Sequence, residues 1–257
     1  MRYDGDVARL QRRIAATSDL QRRRLAVLEA IALRPAERVL EVGCGGGALL
    51  AAYAAAVGPT GRVLGVDISA DQIAAAREAC AGNAVVEAEI ADINGLPYAP
   101  GSFDAVVAIQ VIDYLADPQH ALSELRRVSA AGARLVIVAT NTDTMFWNTA
   151  VPDLTRRMQA AWRTHAPHPN LPADLRPLLE GAGFRLVRQS PLTIVNNAYH
   201  EDAFAYWLGR LMVAYVTTSR LVDAEDAARW LQALGEAQAG SRFFFSSTPV
   251  LSLAIAA

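Results

Sequence analysis

Residues 39–47 read VLEVGCGGG, a short apolar segment that carries one acid, Glu41, and ends in a run of glycines. The pattern predicts a strand, a glycine turn and then a helix in the alanine- and leucine-rich residues that follow, which is the start of a βαβ unit. Glycine suits the turn because a Cβ atom would block both the sharp bend and the approach of a ligand. In parallel α/β sheets this order of elements brings the backbone close to a nucleoside.

The spacing of the glycines fits two classes of ligand. Gly43, Gly45 and Gly47 are separated by single residues. Ala48 stands where the dinucleotide pattern G-x-G-x-x-G/A places its last small residue. The run by itself therefore suits a nicotinamide dinucleotide as well as another nucleoside ligand.

Acids near the ends of three strands help to separate these classes. The apolar run 62–67 ends in Asp67, which can accept hydrogen bonds from both ribose hydroxyls of an adenosine ligand. A third strand near residues 85–90 is followed by Asp92, which offers a second acid to an adenine amine. Glu41 lies inside the first strand, where a nicotinamide-binding strand is normally apolar. Together the acids favour an adenosine ligand other than a nicotinamide dinucleotide.

The later strands must bring further residues to the same edge of the sheet. A fourth, fully buried strand is predicted for residues 103–109, a fifth for residues 134–139, a sixth for residues 184–195 and a last strand for residues 242–255. Ligands of open α/β sheets bind at the carboxyl ends of the strands, so Gln110 and Val111 are predicted ligand neighbours. The segment 140–147, polar and then Met, Phe and Trp, fits either a pocket wall or a helix cap followed by core residues.

These segments together resemble the class I S-adenosylmethionine-dependent methyltransferases, and most closely the small-molecule branch that includes the ubiquinone and menaquinone methyltransferases. The resemblance covers about residues 35–140 and extends weakly through GAGF at 181–184. It implies a Rossmann-like α/β fold: a seven-stranded, mostly parallel sheet with an antiparallel last strand and helices on both faces. It also implies S-adenosylmethionine as the cofactor. The segments that carry it are VLEVGCGGG at 39–47, GVDIS at 65–69, ADI at 91–93, LPY at 96–98 and SFDAV at 102–106.

The resemblance implies roles for individual residues. Glu41 and the glycine loop are expected to contact the methionine part of the cofactor, and Asp67 is expected to hold the ribose. Ile68 is expected to pack on the adenine, whose edge meets Asp92 and Ile93. An N-terminal helix often closes over the cofactor in this family, which makes Tyr3 and Gln21 weaker candidates. The predicted cofactor contacts are Glu41, Gly43, Cys44, Gly45, Gly47, Asp67, Ile68, Gln72, Asp92, Ile93, Gln110 and Val111.

The chemistry of such a cofactor leaves little trace in a sequence. A sulfonium methyl group is already electrophilic, so the enzyme must mainly align the reactants in line and exclude water. A base is needed only where the acceptor has to lose a proton. Asp143, His200 and Tyr114 are the predicted catalytic residues, and His165 and Glu201 are further candidates. No metal site is predicted, because no other His or Cys lies near His165 and His168.

A small apolar or aromatic acceptor, methylated on carbon or oxygen, is favoured. Arsenic methylation is excluded, because it needs several thiolates and the only cysteines, Cys44 and Cys80, are expected to lie apart. Two alternatives stay open: a non-methylating S-adenosylmethionine-binding protein, and a nicotinamide-dependent oxidoreductase. The oxidoreductase is disfavoured because no Tyr-x-x-x-Lys or similar catalytic pair is present.

Composition agrees with a cytoplasmic enzyme. The chain has 257 residues, enough for one large domain or a domain with a cap, and its net charge of −2 gives no general attraction to nucleic acid. All 24 basic residues are Arg, which excludes a P-loop lysine or a Schiff-base lysine. No signal peptide is recognised at the polar start, and no apolar run is long enough for stable membrane insertion. A homodimer is left open.

Four regions are predicted along the chain. Residues 1–34 form a helical N-terminal segment, residues 35–200 the cofactor-binding core, residues 201–240 a helical insertion, and residues 241–257 the final strand of the core. The insertion is longer than a turn needs, so we interpret it as a lid over the substrate whose aromatic residues form an apolar pocket. The alternative is that these aromatic residues pack the helix onto the core.

Overall fold

The computed structural model describes residues 5–257, so the weak cofactor candidate Tyr3 lies outside the described residues. Contacts between Cα atoms divide the chain into two compact units. The sheet unit consists of Arg24–Thr140, Asn170–Pro191 and Val250–Ala257. The tryptophan unit, named for its four Trp residues, consists of the described residues up to Arg23 together with Asn141–Pro169 and Leu192–Pro249.

Helices and strands alternate through the first half of the chain, as the sequence predicts. The helices are α1 (Gly5–Ala16), α2 (Ser18–Ile31), α3 (Leu50–Val57), α4 (Ala70–Ala79), α5 (Pro118–Val128), α6 (Pro152–Arg163), α7 (Leu171–Gly181), α8 (Phe204–Thr218) and α9 (Ala224–Ala239). The strands are β1 (Arg38–Val42), β2 (Arg62–Asp67), β3 (Val86–Ile90), β4 (Phe103–Ile109), β5 (Ser129–Thr140), β6 (Phe146–Asn148), β7 (Phe184–Pro191), β8 (Ile194–Asn196), β9 (Phe244–Ser247) and β10 (Pro249–Ala256).

The sheet unit is built on a seven-stranded sheet in the order β3-β2-β1-β4-β5-β10-β7, with helices on both sides. Strands β1 to β5 pair in parallel, and β10 pairs antiparallel with β7. Residues 39–42 of β1 and 105–108 of β4 are buried, because parallel strands covered by helices expose neither face to water. The predicted fold class, with its antiparallel last strand, is confirmed.

The tryptophan unit has its own core and a three-stranded antiparallel sheet in the order β6-β9-β8. Trp147 is buried in this core, with its ring 5.1 Å from that of Trp230 and 4.4 Å from that of Phe245. Helix α8 begins at Phe204, and the preceding Ala203 offers no side-chain cap. Asp19 instead accepts a hydrogen bond from Phe204 N at 2.9 Å. A buried carboxylate from another element thus satisfies a helix N-terminus.

Two predicted strands are each broken in two. The expected strand 184–195 divides into β7 and β8, and the expected last strand 242–255 divides into β9 and β10. In each case one half joins the large sheet and the other half joins the small sheet. Proline explains the positions of the breaks, since Pro191 and Pro249 have no backbone N–H to donate to a continuous ladder.

The predicted pocket aromatics of residues 201–240 fall into two groups. Phe204 is buried in the core of the tryptophan unit together with the apolar side chains of Leu208, Leu211 and Met212, as the packing alternative predicts. Tyr206 and Trp207 stay partly exposed. Within the described part of the chain, no helix is both long and apolar enough to cross a membrane.

Candidate functional site

The three glycines with positive φ in the loop between β1 and α3 differ in what surrounds them. Gly43, Gly45 and Gly47 all have positive φ, at +64°, +53° and +75°. A Cβ at Gly43 would lie 2.2 Å from the Val111 side chain, and one at Gly47 would lie 3.0 Å from the Ala76 side chain. A Cβ at Gly45 would meet no protein atom within 4 Å. Gly43 and Gly47 therefore serve packing, whereas Gly45 leaves open space beside the backbone.

Asp67 ties the end of β2 to this loop. Its Oδ2 accepts a hydrogen bond from Gly45 N at 3.0 Å, and its Oδ1 accepts one from Ser69 N at 2.9 Å. The carboxylate is half-buried and fixed by two backbone donors. Because each carboxylate oxygen has two lone pairs, both can still accept a hydrogen bond from a ligand hydroxyl.

Two exposed isoleucines neighbour Asp67: Ile68 follows it in the chain, and Ile90 is its partner in β3. Ile68 is 73% exposed, although isoleucine is usually buried, and Ile90 at the end of β3 is 58% exposed. Asp92 is exposed, with its Oδ1 accepting hydrogen bonds from the backbone and side-chain nitrogens of Asn94, both at 2.9 Å. Ile93 is buried in the core, so its backbone N–H is the group that it can offer to an adenine edge.

Gln110 follows β4 in a strained conformation. Its φ is +53°, which costs free energy in a residue with a Cβ and is often found at functional sites. The backbone N donates to Val138 O at 2.7 Å, and Nε2 donates to Thr140 Oγ1 at 2.6 Å. Val111, the next residue, packs against Gly43. The carboxyl ends of β1, β4 and β5 are therefore held together with the glycine loop.

Glu41 is buried in β1, and its Oε2 has no hydrogen-bond partner. Burial raises the pKa of this carboxyl to about 8; the charge of Arg24 opposes the rise and that of Asp67 adds to it. Tyr53 of α3 is also fully buried, with no partner for its hydroxyl; burial raises the pKa of that phenol, and Glu41 adds to the rise. Arg24 and Tyr53 are not predicted as site residues from the sequence, because neither lies in a motif and only the fold brings them near Glu41.

Two other predicted contacts are buried around the loop. The Cys44 side chain points towards Gly65, and burial raises the pKa of its thiol well above the ordinary value. Gln72 of α4 is buried, with its Oε1 3.8 Å from the position that a Gly46 Cβ would take. The Cys44 side chain is therefore packed inside the sheet unit, and its backbone N–H donates to Val66 O at 3.0 Å.

The predicted catalytic residues do not belong to one unit. Tyr114 lies in a single 3-10 turn after β4, in the sheet unit, and is partly exposed. Asp143 and His200 belong to the tryptophan unit, where both are exposed. Asp143 forms an ion pair with Arg163, and His200 Nδ1 accepts a hydrogen bond from Asp202 N at 3.2 Å.

The other two candidate bases also lie in the tryptophan unit. His165 stacks on Trp162, and burial lowers its pKa to about 4, so the ring is neutral at pH 7. Glu201 is exposed. Among the described residues, no group of three or more His, Cys, Asp and Glu side chains could hold a metal ion.

Comparisons with known proteins agree with the fold and with the loop. A family model described as a methyltransferase domain matches residues 33–183, more than half of the chain. An arsenite methyltransferase of Halobacterium salinarum is 30% identical over 162 residues, which are 62% of this chain and 40% of that protein. The ubiquinone/menaquinone biosynthesis C-methyltransferase UbiE of Burkholderia mallei is 32% identical over 107 residues, which are 41% of this chain and 44% of that protein.

A solved structure extends the likeness in fold to most of the chain. It is that of a candidate methyltransferase of Bacillus halodurans C-125, with a TM-score of 0.65 at 22% identity, and the match covers 90% of this chain and 97% of that one. At this identity the match concerns the fold alone.

The chain belongs to the methyltransferase-domain family, within the class I S-adenosylmethionine-dependent methyltransferases. Membership confirms the predicted enzyme class and the predicted cofactor, S-adenosylmethionine. The matches span less than half of the length of the two curated relatives. The reaction of the whole protein and its acceptor are therefore matters for proposal.

Proposed function

We propose that the glycine loop and Asp67 hold S-adenosylmethionine at the carboxyl edge of the sheet unit. The observation that carries this proposal is the hydrogen bond from Gly45 N to Asp67, which places open backbone beside a fixed carboxylate. The cofactor's amino group would meet Glu41, whose buried Oε2 lacks a donor, and its adenine would pack on Ile68. The remaining contacts are those predicted from the sequence: Gly43, Cys44, Gly47, Gln72, Asp92, Ile93, Gln110 and Val111.

The proposed reaction is methyl transfer to a small apolar or aromatic acceptor by in-line displacement, with carbon or oxygen favoured as the methylated atom. When bound, the cofactor supplies an electrophilic methyl group whose leaving group is a neutral thioether. The protein then has to hold the acceptor in line and keep water out. The similarity to a quinone C-methyltransferase supports a small acceptor.

Arsenite is not the acceptor that we propose, although one relative carries that name. Metalloid chemistry needs several thiolates, and this chain has two cysteines. Cys44 is buried with a raised pKa, and the pKa of Cys80 is raised as well.

Base assistance stays a prediction for acceptors that must lose a proton. Tyr114 is the predicted base that shares the sheet unit with the proposed cofactor contacts. Asp143, which is paired with Arg163, and His200 remain predicted catalytic residues of the tryptophan unit. A cytoplasmic location and the absence of a nucleic-acid partner also stay predictions. Whether the protein forms a homodimer stays open.

The test uses S-adenosylmethionine labelled in its methyl group, with the organic-soluble small molecules of a bacterial extract as acceptors. We expect label in the organic phase and equal formation of S-adenosylhomocysteine. Label in protein or nucleic acid would contradict a small acceptor. Cofactor binding without any transfer would favour the non-methylating alternative.

A matched pair of glycine variants links this transfer to the loop. Gly45→Ala and Gly82→Ala both place a Cβ at positive φ, where no protein atom lies within 4 Å. Both should lose a similar stability of about 1 kcal/mol. Only Gly45→Ala should lower transfer at limiting cofactor, by about tenfold or more, because its methyl group enters the proposed ligand space. Equal losses in the two variants would count against the loop as the binding site.

A further inference from the structure

Glu41 is an acidic residue at a buried position, where a charged carboxylate costs free energy. It lies in β1, between β2 and β4, where it pairs with Gly65 of β2 on one side and Val107 of β4 on the other. It is only 4% exposed. Its Oε2 has no donor. A buried carboxyl group in this state either carries a proton or needs a cation beside it.

The charged and titratable groups that face Glu41 come from four neighbouring elements. Arg24 approaches from α2, Asp67 from the end of β2, Cys44 from the loop and Tyr53 from α3. Arg24 is the cation of this set, and burial lowers the pKa of its own guanidinium. Without a ligand, burial and Asp67 together outweigh Arg24, and the pKa of Glu41 rises to about 8. At neutral pH most of the carboxyl groups are then protonated.

We propose that Glu41 releases its proton to solvent when the ammonium group of the cofactor's methionine part binds, and that Arg24 is a positioning residue that favours the resulting carboxylate. The proposal rests on the proposed function. The ammonium group adds the second cation that the buried carboxylate lacks. One proton passes from the Glu41 carboxyl to solvent, and the resulting carboxylate is paired with the bound ammonium group.

Proton release makes cofactor affinity depend on pH. Below the pKa of the free carboxyl, each pH unit should change the dissociation constant about tenfold, with tighter binding at higher pH. The dependence should flatten near pH 8. It should be absent for 5′-methylthioadenosine, which has the nucleoside and the sulfur but no amino group.

The experiment is calorimetric titration of the full chain with S-adenosylhomocysteine between pH 6 and pH 8, in two buffers of different ionisation enthalpy at each pH. In the wild type we expect a large fraction of one proton released per ligand at pH 7. With 5′-methylthioadenosine we expect none, a comparison that needs no variant. The ligand's own amino group titrates near pH 8 and also contributes to the measured proton exchange. Titration of Glu41→Gln with the same ligand measures that contribution by itself, because the variant lacks the acid.

Two variants test whether the proton released on ligand binding comes from Glu41. Glu41→Gln should abolish the release, whereas Glu29→Gln, at an exposed acid on α2, should leave it unchanged. Arg24→Gln should shift the affinity curve to higher pH, because Glu41 then lacks the cation that opposes its protonation.

The outcomes separate this proposal from the proposed function. Equal proton release in the wild type and Glu41→Gln, or equal release with both ligands, would overturn the proposal and leave cofactor binding intact. An unshifted curve in Arg24→Gln would overturn the role given to Arg24. No binding of S-adenosylhomocysteine at any pH would overturn the proposed function itself and this proposal with it.

Discussion

At the scale of single residues, the candidate site combines several costly features. Glu41 is a buried acid without a donor, and Gln110 is a non-glycine residue with φ at +53°. Asp67 holds the loop through Gly45 N. Features that cost folding free energy and lie together are expected where function, and not stability, selects the residue. Replacing Glu41, the buried acid without a donor, should therefore stabilise the fold.

We predict that Glu41→Gln stabilises the ligand-free protein, and more so at high pH. The folded-state pKa of Glu41, about 8, lies above the ordinary value of 4.5, so the folded protein binds more protons than the unfolded chain between these pH values. The wild type therefore loses stability as the pH rises from 4.5 to 8. The variant lacks this loss and should be more stable by about 1–3 kcal/mol at pH 8 and little changed at pH 5.

Urea unfolding at both pH values measures this difference. Glu29→Gln is the control, and an exposed substitution of this kind should stay within about 0.5 kcal/mol of the wild type. A variant less stable than the wild type at pH 8 would show that Glu41 is charged and well paired in the ligand-free fold.

At the scale of elements, the sequence predicts the sheet unit well. The predicted fourth strand, 103–109, has the same bounds as β4, because a run of seven mostly apolar residues between turn signals is typical of a buried strand. The glycine loop is predicted from the spacing of its glycines, and Asp67 from its place at the end of the next apolar run. The φ of Gln110 and the approach of Arg24 and Tyr53 to Glu41 could not be predicted, since they depend on tertiary packing alone.

The tryptophan unit is predicted less well, for a physical reason. Its strands β6, β8 and β9 have three or four residues each, too few to show a period of two. Two of them, β8 and β9, lie within segments that the sequence predicts as single long strands, and only Pro191 and Pro249 mark where the chain passes from one sheet to the other. The sequence predicts that residues 201–240 are helical, but it does not predict the second core in which α8 and α9 are buried, because that core depends on tertiary packing.

Trp230 tests whether this second core stabilises the tryptophan unit. The side chain is fully buried, and its Nε1 donates to Thr155 Oγ1 at 3.1 Å. Trp230→Ala should destabilise the unit by about 3–5 kcal/mol, as is usual for a buried aromatic residue. Trp207→Ala, at a partly exposed position of α8, should cost clearly less.

Tryptophan fluorescence in urea is the measurement, because all four Trp residues lie in this unit. The transition seen by fluorescence should move to lower urea in Trp230→Ala. Equal effects of the two substitutions would argue that Trp230 is not a central core residue.

At the scale of the whole molecule, the family match covers one part of the chain and leaves another part outside it. The family model matches residues 33–183, which include the glycine loop, Asp67 and Gln110. Most of the tryptophan unit, residues 192–249, lies outside that match. The part of the chain that the family defines is therefore the part that carries the proposed cofactor contacts, and the acceptor has to be found by experiment.

The most direct test of the account is calorimetric titration of the wild type with S-adenosylmethionine, S-adenosylhomocysteine and NAD, repeated with Asp67→Ala. We predict binding of the two adenosyl sulfur compounds, no binding of NAD, and a loss of about 1.5–3 kcal/mol in the variant, since the ribose hydroxyls lose their acceptor. This loss corresponds to a dissociation constant about 10 to 150 times larger. Preferred binding of NAD, or unchanged affinity in Asp67→Ala, would contradict the claim that the glycine loop and this carboxylate hold S-adenosylmethionine.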